Sequence, residues 1–222
     1  MNAVTPAGQD PSGFVVANTR VLAPPLVPEV LLHLAEESIP LWEKTESQLD
    51  EMNVPPPFWA FAWAGGQALA RHVLDHRSVI AGSRVLDLGA GSGLCGIAAK
   101  LAGASSVTAA DTDALAAHAI ALNAEANGVT IQIISDDLLS GPPFDADVVL
   151  IGDLYYEKDL SERVTRWILD SVAHGQCVWI GDPQRSFFPV SKFERLAEYS
   201  VPVTRALEDS EIKRTSVWRC RL

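Results

Sequence analysis

The run Arg84-Val85-Leu86-Asp87-Leu88-Gly89-Ala90-Gly91-Ser92-Gly93-Leu94-Cys95-Gly96-Ile97-Ala98-Ala99 constrains this chain more than any other stretch. A short apolar segment, then glycines, then an Ala/Leu/Ile-rich segment reads as a buried strand, a tight loop and a helix. A loop that passes under a ligand has no room for a Cβ and adopts dihedrals other residues avoid, which is why glycine recurs there. The helix that follows points its free N–H groups at whatever the loop holds. Taken literally, Gly91-x-Gly93-x-x-Gly96 matches the dinucleotide fingerprint, and Asp111 stands near the expected distance of a ribose-binding carboxylate. Two features bend the reading away from a dinucleotide. Asp87 sits inside the apolar strand, where a carboxylate is costly unless hydrogen-bonded, and the glycines begin earlier, as Gly89-x-Gly91-x-Gly93.

Strand and helix signals alternate downstream. Ser105 to Ala110 reads as a second strand ending at Asp111, and Asp113 caps a helix with Leu115, Ala119 and Leu122 on one face, stopped by Asn127-Gly128. Thr130 to Ile134 is a third strand, leading into Asp136-Asp137-Leu138. Asp147 to Gly152 is nearly all apolar, hence central, and ends at Asp153. Leu160, Val164, Trp167, Ile168 and Val172 mark a helix, and Gln176 to Ile180 a fifth strand. Ser191 to Glu198 fits another helix, while Val201 to Ala206 and Arg214 to Arg219 form a closing pair. The pattern predicts an α/β fold whose mostly parallel sheet has one antiparallel member.

Residues 1–25 mix Ala, Pro, Gly and Ser and read as a flexible arm, so that 26–222 is a single domain with an N-terminal helical extension. Pro28 to Glu37 reads as an amphipathic helix ending before Pro40. The acids that follow, up to Glu51, form either a solvated face or a guiding surface for a basic target. Pro55-Pro56-Pro57 leads into Phe58, Trp59, Phe61 and Trp63. Gly65-Gly66 then precedes a helix from Gln67 to about Asp75, which suits close approach of a ligand. His72 and His76 are spaced as metal ligands on a helix, but no third ligand accompanies them, so no metal is expected.

Asp87-Leu88-Gly89-Ala90-Gly91-Ser92-Gly93 resembles motif I of the seven-strand S-adenosylmethionine-dependent methyltransferases, and Asp111 resembles the acidic residue ending their second strand. The narrower stretches are Phe58 to Arg71, Gly152 to Leu160 (with Asp153-Leu154-Tyr155-Tyr156), Ile180 to Pro183, and Thr215 to Trp218. They occur in the order found in lysine methyltransferases that act on the electron transfer flavoprotein beta subunit. The resemblance runs from about Pro28 to the C-terminus. It implies a Rossmann-like, seven-stranded sheet with helices on both faces, S-adenosyl-L-methionine as cofactor, and the flavoprotein beta subunit as a lysine-bearing partner.

Asp87, Asp111, Asp137 and Asp153 follow, or sit near the ends of, apolar strands, so they gather at one edge of the sheet. Carboxylates beside glycine backbone suit a cation carrying ribose and adenine. As the resemblance implies, Asp111 takes the ribose hydroxyls, Asp87 the amino-acid end, and Gly89 and Gly91 leave room. Asp137, with Asp136 as the alternative, takes the adenine amine beside the backbone N–H of Leu138, and Trp63 and Gln67 lie along the cofactor. Asp153 and Tyr156 are expected at the target amine, where negative or π-electron groups favour charge arriving on nitrogen. A methyltransferase for another protein, such as a ribosomal one, or for a small molecule is the alternative; an NAD-binding oxidoreductase is more remote.

Bulk properties narrow the partners. The formal net charge of -11 over 222 residues argues against nucleic acid and suits a basic protein surface. Three unpaired-looking cysteines, Cys95, Cys177 and Cys220, fit a reducing interior. No apolar run nears the ~18 residues of a membrane span, and the arginine-poor N-terminus favours the cytoplasm.

Overall fold

A computed structural model describes residues 10–35, 56–203 and 211–221. The acidic stretch before Glu51, residue 55 and positions 204–206 of the expected closing pair lie outside the described residues. The helices are α1 (Pro11–Ala17), α2 (Ala64–Asp75), α3 (Arg77–Ile80), α4 (Leu94–Leu101), α5 (Ala114–Ala126) and α6 (Lys158–Ala173). Strands β1 (Arg20–Leu22) and β2 (Leu32–Leu34) pair with each other. The remaining strands are β3 (Arg84–Leu88), β4 (Ser106–Ala110), β5 (Gln132–Ile134), β6 (Val148–Gly152), β7 (Cys177–Asp182), β8 (Phe193–Pro202) and β9 (Ile212–Cys220).

The large sheet has seven strands in the order β5-β4-β3-β6-β7-β9-β8. All are parallel except β9, which runs antiparallel to both β7 and β8. This is the α/β sheet with one reversed member that the sequence predicts. The order turns back between β3 and β6, because β4 and β5 extend to one side of β3 and the chain then crosses to β6 on the other. At such a switch point the loops leaving neighbouring strands diverge and open a crevice at their carboxyl ends. The two faces are covered separately. Val85, Val107, Val148, Leu150 and Trp179 pack against α2 and α4, while Leu86, Val149, Ile151, Val178 and Ile180 pack with Val164, Trp167 and Ile168 of α6. Adjacent strand residues point to opposite sides, so the apolar runs of β3, β6 and β7 serve both cores at once.

Three local expectations are corrected. The arm expected over 1–25 is ordered over residues 10–25: Asp10 caps α1 by accepting from the Gly13 N–H at 3.0 Å, and Val15 is buried with Trp59, Leu115 and Ala119. The helix expected from Pro28 to Glu37 is absent over residues 28–35. Val30, Leu32 and Leu34 are buried at every second position, and the Asn127 side chain bonds both the N–H and the carbonyl of Leu31, so a strand-like period prevails over a helical one. Of the helix expected from Ser191 to Glu198, Ser191 and Lys192 lie in a 3-10 turn (Val190–Lys192), and Phe193 to Glu198 form the first half of β8, paired with β9. A long antiparallel partner offers each backbone group a cross-strand bond, and that outweighs local helix propensity.

Candidate active site

The crevice is a cavity of about 490 Å³ lined by residues that follow β3, β4, β5, β6 and β7, together with the segment leading into α2. Its floor is the loop after β3. Gly89, Gly91 and Gly93 adopt φ of 68°, 52° and 78°, in the left-handed region where a side chain is strained. A Cβ on Gly89 would stand 2.7 Å from Leu154.

Asp87, buried at 2% exposure, accepts from the Gly96 N–H of α4 at 2.7 Å. That bond answers the question raised by an acid inside an apolar strand. Burial pushes its carboxyl up to about 7, against the pull of the Gly96 N–H and with the added push of Asp111. Asp111 accepts from the N–H groups of Gly91 at 2.7 Å and Asp113 at 2.9 Å, one on each oxygen. Each oxygen keeps a lone pair for a further donor. Burial raises its pKa too, opposed by the two N–H groups.

Asp137 lines the cavity at the outer end, above the turn Leu138–Ser140. Its Oδ1 accepts from the Leu139 N–H at 3.1 Å, while Oδ2 takes Ser140 Oγ and Arg163. Burial pushes its pKa up, but those hydrogen bonds and the Arg163 charge outweigh it and the net shift is downward. Asp136 and Leu138 line the same end.

At the opposite end stands Asp153, one residue past β6 and 9% exposed. Its φ of 58° is unusual for a residue other than glycine, and is held by its N–H donating to the Gly181 carbonyl at 3.0 Å. Asp153 Oδ2 accepts from the Gly66 N–H in the first turn of α2 at 2.7 Å, and Oδ1 accepts from Arg185 Nη2 at 2.8 Å and Nε at 3.2 Å. Burial raises its pKa; Arg185 and the helix N–H groups oppose this. Glycine is obligatory where α2 meets the sheet, since a Cβ on Gly65 would fall 2.2 Å from the Gly181 oxygen.

Aromatic rings form the mouth. Tyr156 is half-exposed, with its ring centroid 5.5 Å from Phe58. Trp63 lies 5.9 Å from Phe58 and 5.8 Å from Phe61, donates its indole N–H to the Phe58 carbonyl at 2.9 Å, and carries the Arg185 guanidinium 5.6 Å from its ring. Tyr155, the neighbouring tyrosine, is instead fully buried against Phe188.

The structure thus brings Trp63, Asp87, Gly89, Gly91, Asp111, Asp137, Leu138, Asp153 and Tyr156 around one cavity. Gln67 is not among the residues lining it. That residue is 2% exposed, donates to the Ala62 carbonyl at 2.7 Å and accepts from the Leu26 N–H at 3.2 Å, so it fastens the segment before β2 to the start of α2. Arg185 escaped the sequence reading. Its signal was a cation three residues past Asp182, in the turn after a strand that ends at the cavity's edge. Among the described residues no cluster of His, Cys, Asp or Glu could hold a metal, and no helix is long and apolar enough to cross a membrane.

Among the described residues the lining carries six aspartates (87, 111, 113, 136, 137 and 153) against two arginines (163 and 185). A pyrophosphate would meet repulsion here, whereas a cation with hydroxyl and amine donors would find acceptors at both ends of the cavity.

Comparison with known proteins agrees with this chemistry. The family described as ribosomal protein L11 methyltransferase (PrmA) matches residues 67–152. The electron transfer flavoprotein beta subunit lysine methyltransferase of Danio rerio is 35% identical over 97% of this chain and 85% of its own length. Its namesake in Homo sapiens is 34% identical over 92% of this chain and 80% of its own. Among solved structures, a ribosomal protein L11 methylase from Lactobacillus delbrueckii subsp. bulgaricus aligns with 69% of this chain and 78% of its own, at 21% identity and a TM-score of 0.48.

Proposed function

The chain belongs to the family of electron transfer flavoprotein beta subunit lysine methyltransferases, and from that premise we propose that its cavity takes S-adenosyl-L-methionine and methylates lysine on the flavoprotein's beta subunit. The observation that carries the reading is the excess of aspartate around a glycine floor, a donor set matched to a cationic ligand. When bound, the cofactor would supply an electrophilic methyl on a sulfonium whose leaving group is a neutral thioether.

The remaining tasks fall to the chain. Asp111 accepts the ribose hydroxyls with the lone pairs its two N–H partners leave over. Asp87 offers negative charge to the amino-acid end, and the positive φ of Gly89 and Gly91 keeps the floor free of side chains. Asp137 Oδ1 takes the adenine amine, with the Leu138 N–H beside it. Tyr156 and Asp153 flank the entering amine. The phenolic ring and Phe58 restrict its approach, and alignment supplies most of the acceleration, because a thioether leaves readily.

Purified electron transfer flavoprotein beta subunit, incubated with the enzyme and methyl-labelled cofactor and mapped by tandem mass spectrometry, tests the reading. Label on lysine is expected; label on glutamine, no label on the beta subunit, or binding of NADH in place of S-adenosylhomocysteine in a parallel titration contradicts it.

A further inference from the structure

Asp153 poses a problem for any enzyme that methylates an amine. A bare carboxylate at the amine subsite attracts the protonated form, which has no lone pair to attack with. The structure contains a counterweight. Arg185 directs two N–H groups at Asp153 Oδ1, and the pair is largely shielded, with side-chain exposures of 20% and 10%. The arginine is anchored on both sides: its backbone N–H donates to Asp182 Oδ1 at 2.8 Å, and its guanidinium stands 5.6 Å from the Trp63 ring. Gly66 holds the other oxygen of Asp153.

We infer that Arg185 is a positioning residue for methyl transfer: by pairing with Asp153 Oδ1 it cancels the carboxylate's charge while the lone pair of Oδ2 not taken by Gly66 remains an acceptor, so the target lysine is received as the neutral amine. This rests on the lysine methyltransferase reading given above. Before transfer the ammonium proton passes to bulk water; after transfer nitrogen carries the charge and releases a second proton to water.

Among the described residues, the other charges around Asp153 do not undo the cancellation. Asp182, the last residue of β7, is fully buried, and its Oδ2 has no hydrogen-bond partner among the described residues. Burial, then Asp153, push its carboxyl up to about 7, so near neutral pH it is partly protonated and competes weakly for the guanidinium. On α4, the Cys95 thiol is driven upward by burial and by Asp87 and Asp153, and stays neutral. Tyr156 is raised by burial, Glu157 and Asp111, and is neutral too. Asp87, Asp111, Asp113, Asp136, Asp137 and Arg163 line the rest of the cavity.

The test compares wild type, Arg185→Gln and Arg185→Lys on purified electron transfer flavoprotein beta subunit. The pH dependence of kcat is followed at saturating substrate, where it reports the bound complex. Arg185→Gln should move the alkaline rise of kcat upward by about one pH unit or more, with S-adenosylhomocysteine affinity held within about threefold. Arg185→Lys should stay near wild type. An unchanged midpoint in Arg185→Gln, with only KM raised, overturns the inference while the methyltransferase reading stands. Absence of lysine methylation by wild type overturns both. If Arg185→Gln does not fold, wild type decides alone. In its complex with S-adenosylhomocysteine, whose sulfur is uncharged, the target lysine of ε-¹³C-lysine-labelled beta subunit should titrate clearly below the free value of about 10.4; titration at or above that value refutes the assignment.

Discussion

Gly65 and Gly66 are neighbours in the first turn of α2, yet alanine should act oppositely at the two. A Cβ on Gly65 would lie 2.2 Å from the Gly181 oxygen and 2.5 Å from Asp153 Oδ2, while ordinary contact begins at 3.4 Å. Because the first neighbour is backbone in the centre of a sheet, α2 must retreat by about 1 Å to restore contact. That retreat stretches the Gly66 N–H to Asp153 bond beyond the range of a hydrogen bond. Overpacking costs about 1–3 kcal/mol, and a hydrogen bond to a charged group contributes about 1.5–3 kcal/mol. Alanine's better helix propensity returns about 1 kcal/mol. The net expectation for Gly65→Ala is a loss of about 2–4 kcal/mol, a fall in Tm of roughly 5–15 °C for a chain of this size, and a large loss of turnover. At Gly66 the nearest atoms to an added Cβ are 3.9 Å and 4.0 Å away, so Gly66→Ala should be neutral or stabilising by up to about 1 kcal/mol. Urea denaturation and thermal melts measure both. Equal stability of the two variants would refute the claim that the α2–β7 backbone contact sets the position of Asp153.

Gly89→Ala combines a left-handed φ with a clash against Leu154; it should lose roughly 1–3 kcal/mol and weaken S-adenosylhomocysteine binding at least tenfold by calorimetry. In the folded chain burial holds the Asp87 carboxyl up at about 7, against its ordinary value of 3.8. Its proton-linked stability is therefore present below about pH 3.8 and lost as pH rises through about 7; Asp87→Asn should flatten that decline in denaturation curves taken across this range. A cation bound beside Asp87 favours its ionised form, so wild-type affinity for S-adenosylmethionine should rise with pH toward 7, with proton release seen as a buffer-dependent heat. Asp137→Ala breaks an exposed ion pair with Arg163 and should change stability by less than about 1 kcal/mol, yet it should weaken S-adenosylhomocysteine binding severalfold; an equal or larger loss in Asp136→Ala would reassign the adenine contact.

Much of this architecture is legible before any coordinates, for identifiable reasons. The strand, glycine loop and helix from Arg84 onward encode their geometry locally, since only glycine tolerates the φ values found at positions 89, 91 and 93. Parallel strands buried on both faces announce themselves as apolar runs, and their carboxyl ends share an edge, which is why Asp87, Asp111 and Asp153 could be grouped from sequence. What stayed hidden depends on distant partners. The residues from Leu31 to Leu34 contain leucines at both helical and strand spacing; Asn123 and Asn127, some ninety positions later, decide between them through bonds to the backbone of His33 and Leu31. Phe193 to Glu198 has no strong local preference until β9 supplies its ladder. Gln67 looks like a polar residue beside a ligand, and only the fold shows that the Leu26 backbone occupies it. Arg185 could not be linked to Asp153 by any periodicity, because 32 residues and a whole strand–helix unit separate them.

A crystal structure of the complex with S-adenosylhomocysteine tests the central claim most directly. The account predicts ribose hydroxyls on Asp111, adenine beside Asp137 and Leu138, and the sulfur opening toward Asp153 and Tyr156. A ligand bound outside the cavity, or one whose sulfur faces away from Asp153, would contradict it.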